Sequence, residues 1–435
     1  MKKIQARQIR QFLSLAVAFI LFFSVTNPLL VTASAASLKS EWKTNVYEYP
    51  LTPADAAWAS LSYSEQLETC DMPIDMLSSC PTEELADLVL GYPFLIDILA
   101  FDNVDLAIKH LIDSSNICAE FFSRDNITDV LMEKYDKMNV DYGKLLNESS
   151  IMPMSDSGYI GELFLQTYFA YVRHSLTDTQ TQEVSKIIGE KFEAKKGICN
   201  DFATSLLIYD WIQIGDGAIP QYLVPESIES EVFSNGNSLT MGEAEIDSNQ
   251  TRATSGFTSE GTVVQFGSNK GVYTRGTYTL YGKTVGCYKF HSNDYTPDEA
   301  SALNKDFDKA HSSWSRVYTC TKKYNCHSYT WINSSSSNMY WLGNPDVFAG
   351  SDEFTFIGKN IDKPSPSLSA GDKITVGASI CVNDGFGNVT CSTHSANVIS
   401  STGSTQSKLG SCGVYIAPAD DLVKFYAGYY YNIYR

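Results

Sequence analysis

Two residues in the C-terminal third have types and settings suited to chemistry. Tyr324-Asn325-Cys326-His327-Ser328-Tyr329-Thr330-Trp331 places a cysteine at the head of a short run that reads as a helix. Backbone N–H groups at a helix start stabilise a thiolate and lower its pKa, which is how nucleophilic cysteines are commonly built. Further on, His394 opens the strand-like run His394-Ser395-Ala396-Asn397-Val398-Ile399. A strand is a firm platform for holding an imidazole against a helix-borne thiolate. Together they would perform acyl transfer, with Cys326 attacking a carbonyl and His394 moving the proton. The backbone N–H of Cys326 would supply one oxyanion donor. Against this stand blander roles. A strand histidine is often a packed core residue, and Cys320, six residues before Cys326, offers a disulfide partner. His327 is expected to be structural, because adjacency in sequence does not turn its ring toward the thiol. His291 and His311 carry no motif.

The order Cys326, then Gly371-Asp372 turning into a strand, then His394 resembles the papain-like cysteine amidohydrolases and peptidases of the NlpC and CHAP kind. It is also similar to a group of secreted bacterial proteins carrying Asn-Cys-His-Ser-Tyr-Ala-Trp, His-Ser-Ala-Ile-Val and Ser-Lys-Trp-Gly. Here these read Asn325 to Trp331 with Thr330 for Ala, His394 to Val398 with Asn397 for Ile, and Ser407-Lys408-Leu409-Gly410 with Leu409 for Trp. The likeness covers about residues 260 to 435. It implies an α+β fold: a helical N-terminal domain, then a papain-like antiparallel-sheet domain with the nucleophile at a helix N-terminus. In such folds a third polar group, on the strand after the histidine, orients the imidazole. Gln406, twelve residues after His394, occupies that place. Its carbonyl can accept from an imidazole N–H, which neighbouring Lys408 cannot do. Many relatives cleave cell-wall amides, so the resemblance also points to peptide or peptidoglycan substrates. No cofactor is implied.

Two other readings compete. Gly197-Ile198-Cys199-Asn200-Asp201-Phe202-Ala203 resembles the nucleophile segment of transglutaminase-like proteins, yet the next histidine, His291, is ninety-two residues away. The non-enzyme alternative is a secreted binding or adhesion protein on a papain-like scaffold that has lost activity, since fold does not guarantee function. Cys-x-x-Cys and His-Glu-x-x-His are absent, and with them the common zinc spacings. Gly-rich nucleotide loops and Gly-x-Ser-x-Gly elbows are missing as well.

Positioning such a site requires elements, and their pattern changes along the chain. Residues 52–196 read as a helical domain. Thr52-Pro53 and Pro81-Thr82-Glu83-Glu84 are start signals, and Leu85, Leu88 and Val89 share one face. Thr177 and Gln180 have capping-box spacing ahead of Val184, Ile187 and Ile188. His110 and His174 have no sequence-local partners and are expected to be structural or exposed. Residues 197–255 read as a linker or irregular segment, rich in Ser, Asn, Glu, Thr and Gly from Ser227 on. From 256 to 435 lies the hydrolase-like domain. Its strand-like runs are 262–266, 271–281 and 283–290, punctuated by Gly267-Ser268-Asn269 and Gly282. A helix is expected from Thr296-Pro297-Asp298-Glu299, a capping box with proline at the first helical position.

Lys2, Lys3, Arg7 and Arg10, the apolar run Phe12 to Phe23 and the small-residue site Ala33-Ser34-Ala35 have the order of a secretory signal peptide over residues 1–35. The expected location is therefore extracellular, with no stable membrane association after cleavage. The 435-residue chain has 32 basic and 50 acidic residues, a net charge of −18. That balance argues against sequence-independent binding to nucleic acid, which needs clustered Lys and Arg. It also disfavours docking on an anionic membrane. With 43 % hydrophobic and 19 % charged residues, the chain can bury a core and is not disordered. Its ten cysteines would then sit in an oxidising compartment, where disulfides persist. Cys381 and Cys391 flank Asp384-Gly385-Phe386-Gly387-Asn388 symmetrically, as cross-strand partners on a hairpin do, and Cys70 with Cys80 is a second local candidate.

Overall fold

A computed structural model describes residues 47–101, 104–140, 158–195, 256–265, 272–292, 294–349, 351–363, 365–383, 389–426 and 428–435. Its helices form where caps and apolar stripes coincide. Helix α1 (Tyr63–Cys70) begins in a reciprocal capping box between Ser62 and Glu65. Helices α2 (Ile74–Ser79) and α3 (Thr82–Leu90) follow, the latter opening where Pro81 and two glutamates signal a start. Then come α4 (Val104–Ser114), α5 (Asn116–Phe122), α6 (Ile127–Lys137), α7 (Tyr159–Val172) and α8 (Asp178–Lys195). The box expected at α8 is present: Thr177 N–H donates to Gln180 Oε1 at 3.1 Å, and Gln180 N–H to Thr177 Oγ1 at 3.2 Å. Buried Val184, Ile187 and Ile188 supply the inward stripe.

Strands β1 (Gly256–Gln265), β2 (Val272–Leu280) and β3 (Lys283–Ser292) come next. The β2–β3 turn puts Tyr281 at φ 55° and Gly282 at φ 69°. Two left-handed residues between Leu280 and its partner Lys283 make the twist-matched two-residue hairpin. Helix α9 (Pro297–Ala310) has the expected capping box and first-turn proline. The remaining elements are β4 (Ser315–Tyr318), α10 (Cys326–Trp331), β5 (Tyr340–Leu342), α11 (Asp346–Ala349), β6 (Phe356–Lys359), β7 (Lys373–Asn383), β8 (Val389–Val398), β9 (Ser404–Lys408), β10 (Val414–Pro418), α12 (Ala419–Phe425) and β11 (Gly428–Tyr434). The fold is α+β, with N-terminal helices and C-terminal antiparallel sheets. One sheet has the order β1-β2-β3-β5, and the other β4-β10-β9-β8-β7-β11-β6.

The domain boundary expected near 256 does not divide the hydrophobic core. One buried cluster runs from Trp58, Phe94 and Leu111 through Leu303 and Phe307 to Ile374, Ala396 and Phe425. Glu41–Arg435 forms one compact unit. Polar bonds stitch the same seam. Trp58 Nε1–H donates to Ala310 C=O at 3.1 Å, and Tyr426 O–H to Ala100 C=O at 3.2 Å. Ser411 gives both its N–H and its hydroxyl to Leu99 C=O, each at 2.9 Å. Gly410 shows why this approach needs glycine: it sits at φ 46°, and a Cβ there would lie 2.4 Å from the Ala100 carbonyl carbon. At the centre, Asp97, in the 3-10 helix Leu95–Ala100, takes His110 Nε2 at 3.1 Å and His311 Nε2 at 2.7 Å. All three side chains are buried.

The expected signal segment 1–35 and the segment 197–255, Cys199 included, lie outside the described residues. Cys70 and Cys80 do not form the local disulfide expected of them; both are free, buried thiols at the ends of α1 and α2. The β7–β8 hairpin is antiparallel as expected, with Val382 opposite Thr390 and Asn383 opposite Val389. The side chains of Cys381 and Cys391 lie outside the described residues.

Candidate functional site

Helix α10 is six residues long and wholly buried, packed on β8 and β9. Asn325 fixes its start. Asn325 Oδ1 accepts from Ser328 N–H at 3.1 Å and from Leu342 N–H at 3.2 Å, while Nδ2 donates to Leu342 C=O at 2.9 Å. One side chain therefore caps the helix and ties it to β5. Cys326 is the first helical residue, 4 % exposed. At the other end, Lys373 Nζ donates to Thr330 C=O and to Asn397 Oδ1, capping the last turn. Burial pushes that ammonium down to about 8.

The imidazole against the Cys326 thiol is that of His327, not His394. His327 Nδ1 lies 3.6 Å from Cys326 Sγ and 2.9 Å from Ser395 Oγ. Trp331 Nε1–H also donates to Ser395 Oγ, at 3.2 Å. With that hydroxyl oxygen occupied as an acceptor, its own proton is available to His327 Nδ1, in the tautomer protonated at Nε2; Nδ1 has one lone pair, so it takes a proton from the thiol only when the Ser395 O–H rotates away. Burial pushes the His327 pKa down to about 3, so the ring is neutral at physiological pH. A neutral ring nitrogen beside a thiol can receive its proton as sulfur attacks a carbonyl.

His394 is turned the other way. It pairs with Val376, with Ala396 opposite Ile374 two residues on, and these three partners belong to the main core. Its ring stacks on Tyr426 at 3.9 Å, on the face covered by α12 and the helical region. Ser395, the next residue, faces α10. Successive strand residues point to opposite faces, so His394 and Cys326 lie on opposite sides of the sheet. The expected direct pairing is therefore corrected: neither ring nitrogen of His394 has a hydrogen-bond partner among the described residues. Burial holds its pKa well below the ordinary value, and nearby His327 adds to this. A register shift decides the face. Gly377 pairs with Ser392 and Val376 with His394, so Thr393 is an extra residue that re-aims everything after it.

Gln406 does not orient His394 either. Its Nε2 donates to Tyr329 O–H at 2.8 Å, on the α10 side. Gly371-Asp372 is a structural corner: Gly371 has φ 99°, and Arg435 Nε and Nη2 both donate to the Asp372 carboxylate at 2.8 Å. The Arg435 hydrogen bonds hold that carboxyl below its ordinary pKa. Lys408 is buried and donates to the carbonyls of Thr321, Gly410 and Cys412. His110 is structural and His174 exposed. His327, expected to be structural, instead has its ring against the thiol, and Ser395 is the residue that sequence reasoning passed over. Their only signal was placement inside the two motif runs already singled out for Cys326 and His394. A cavity of about 350 Å³ lined by Tyr92, Pro93, Met138, Ile160 and Lys309 includes none of these site residues.

No family model matches this chain. Searches of curated proteins and of solved structures likewise found no match.

Proposed function

We propose that this protein is a secreted cysteine hydrolase of amide bonds that uses Cys326 as nucleophile. The observation that carries the reading is the 3.6 Å contact between Cys326 Sγ and His327 Nδ1, with that imidazole held by Ser395. In the reaction, the Ser395 hydroxyl rotates its proton away from His327 Nδ1, Cys326 sulfur adds to the amide carbonyl, and the thiol proton passes to the freed Nδ1. The tetrahedral adduct then collapses to a thioester, and the departing amine takes the proton. Water cleaves the thioester with the same ring as base. The papain-like resemblance supports the nucleophile, and the burial of His394 behind the sheet moves the base assignment to His327. The N-terminal order of basic, apolar and small residues supports export. Peptide amides, cell-wall stem peptides among them, are the substrate class.

A second reading, a non-catalytic binding protein on the same scaffold, is favoured by the near-complete burial of Cys326 and the turn of His394 away from it into the core. One experiment separates the two. Purified protein is incubated with peptidoglycan and with peptide amides, and new amino termini are counted. Release by wild type, its loss in Cys326→Ala, and a fall of about 10²-fold or more in His327→Gln are expected. Release that survives His327→Gln but vanishes in His394→Gln would overturn the base assignment. Absence of release together with no labelling of Cys326 by iodoacetamide would establish the binding reading.

A further inference from the structure

We propose that Cys320 and Cys412 form a disulfide just beyond the paired ends of strands β4 and β10, immediately ahead of the Cys326 helix. The ladder fixes the partnership from both sides. Val414 of β10 lies opposite Tyr318 of β4. Beyond the strand ends, Thr321 N–H donates to Ser411 C=O at 3.2 Å. Counting inward from either pair sets Cys320 opposite Cys412. Neither cysteine spends its backbone N–H on the other: Cys320 N–H donates to Asn304 Oδ1, and Cys412 N–H to Leu409 C=O. They therefore occupy a non-hydrogen-bonded position of an antiparallel pair. Such positions hold Cα atoms about 4.5 Å apart. A disulfide accepts separations of about 4.4–6.8 Å, a range that includes this spacing.

In the structure both cysteines are free thiols in contact with each other, buried at 2 % and 1 % exposure inside the core shared by helices and sheet. Burial pushes the Cys412 thiol well up, and the contact with the Cys320 thiol adds to it. Enclosed in the core, the pair exchanges poorly once folded, so the bond forms while the chain is still open. Glutathione disulfide suffices as oxidant. One cysteine thiolate attacks it and expels a glutathione thiolate; the second cysteine attacks the mixed disulfide and expels the other. Two protein S–H groups become one S–S bond, and one external disulfide becomes two thiols. The Lys408 clamp on Thr321, Gly410 and Cys412 holds both sides of the bridge together. The consequence for the site is direct. Cys320 is the nearest cysteine in sequence to Cys326, and engaging it with Cys412 leaves Cys326 a thiol while tethering the Thr321–Asn325 approach to α10.

The test uses the full chain, refolded in reduced and oxidised glutathione, blocked with iodoacetamide and digested without reduction. Mass spectrometry is expected to find the Cys320 peptide linked to the Cys412 peptide and Cys326 alkylated once denatured. Reduction should lower the Tm of wild type by about 5 °C more than that of Cys320→Ser/Cys412→Ser, as for a long closed loop. Alkylation of both Cys320 and Cys412, or a link from either to another cysteine, overturns the proposal. The linkage does not depend on whether Cys326 is a nucleophile, which the Cys326→Ala comparison reads separately.

Discussion

Replacing Asp97 by Asn tests the seam between the helices and the sheets. The carboxylate accepts from His110 at 3.1 Å and His311 at 2.7 Å, and all three side chains are almost fully buried. An amide keeps one acceptor and turns the other into a donor facing a ring nitrogen that was itself donating. One charge-assisted bond is lost outright, worth about 1.5–3 kcal/mol, and the imidazole left behind is buried without its partner, a further 1–3 kcal/mol or so. The expected cost is thus about 3–5 kcal/mol, a large share of the roughly 5–15 kcal/mol that holds a folded unit together. At roughly 1.2 °C per kcal/mol for a unit of this size, Tm should fall by about 4–6 °C. The acid limb of stability carries a second signature. Burial raises the Asp97 carboxyl, but the opposing interactions with His311 and His110 outweigh it and hold the group below its ordinary pKa. A carboxyl depressed on folding contributes stability above its unfolded pKa of about 3.9 and loses it as pH falls through the folded value. The gap between wild type and Asp97→Asn should therefore be full at pH 7 and close below about pH 4. Urea unfolding followed by circular dichroism across pH 3–8 measures both. A cost under about 1 kcal/mol, as for an exposed ion pair, or a gap that widens in acid, would refute the reasoning.

Two further outcomes are expected. Gly410→Ala must push the Ser407–Gly410 corner off Ala100, because the new Cβ would stand 2.4 Å from that residue's carbonyl carbon at a left-handed φ of 46°. The expected loss is about 2–4 kcal/mol, and a Tm within a degree or so of wild type would show that the seam is soft. In an NMR titration the His327 ring should change protonation near pH 3, following its pKa of about 3, with no step in the ordinary histidine range. A midpoint between about 6 and 7 would show that the ring is solvated and that its contact with Cys326 is not the resting arrangement.

Local chemistry made the elements legible. Thr177 with Gln180 and Thr296 with Glu299 lie at helix starts because a capping hydroxyl and an acceptor three residues on satisfy orphan N–H groups wherever they occur. The strand pattern around Gly282 could be read for a similar reason, since a left-handed turn needs such a residue. The polar seam was not legible. Asp97 and His311 are separated by more than two hundred residues, and nothing local to either announces the other. For the same reason a boundary expected from a change in periodicity failed to mark the limit of the core, which follows apolar surface in three dimensions.

The candidate site divides along the same line. From the chain alone came Cys326 at a helix start, with Asn325 before it, and His394 on a strand following a Gly-Asp turn. Residue type, spacing and capping suffice for that, because they act over a few residues. Which histidine meets the thiol was decided by tertiary structure. A strand has a period of two, and the extra residue at Thr393 sets the phase, sending His394 to the core and Ser395 to α10. The burial that makes His327 neutral is likewise the summed effect of α10 lying on the sheet. The sequence determines which residues can do chemistry; the ladder register and the packing of one helix determine which of them touch.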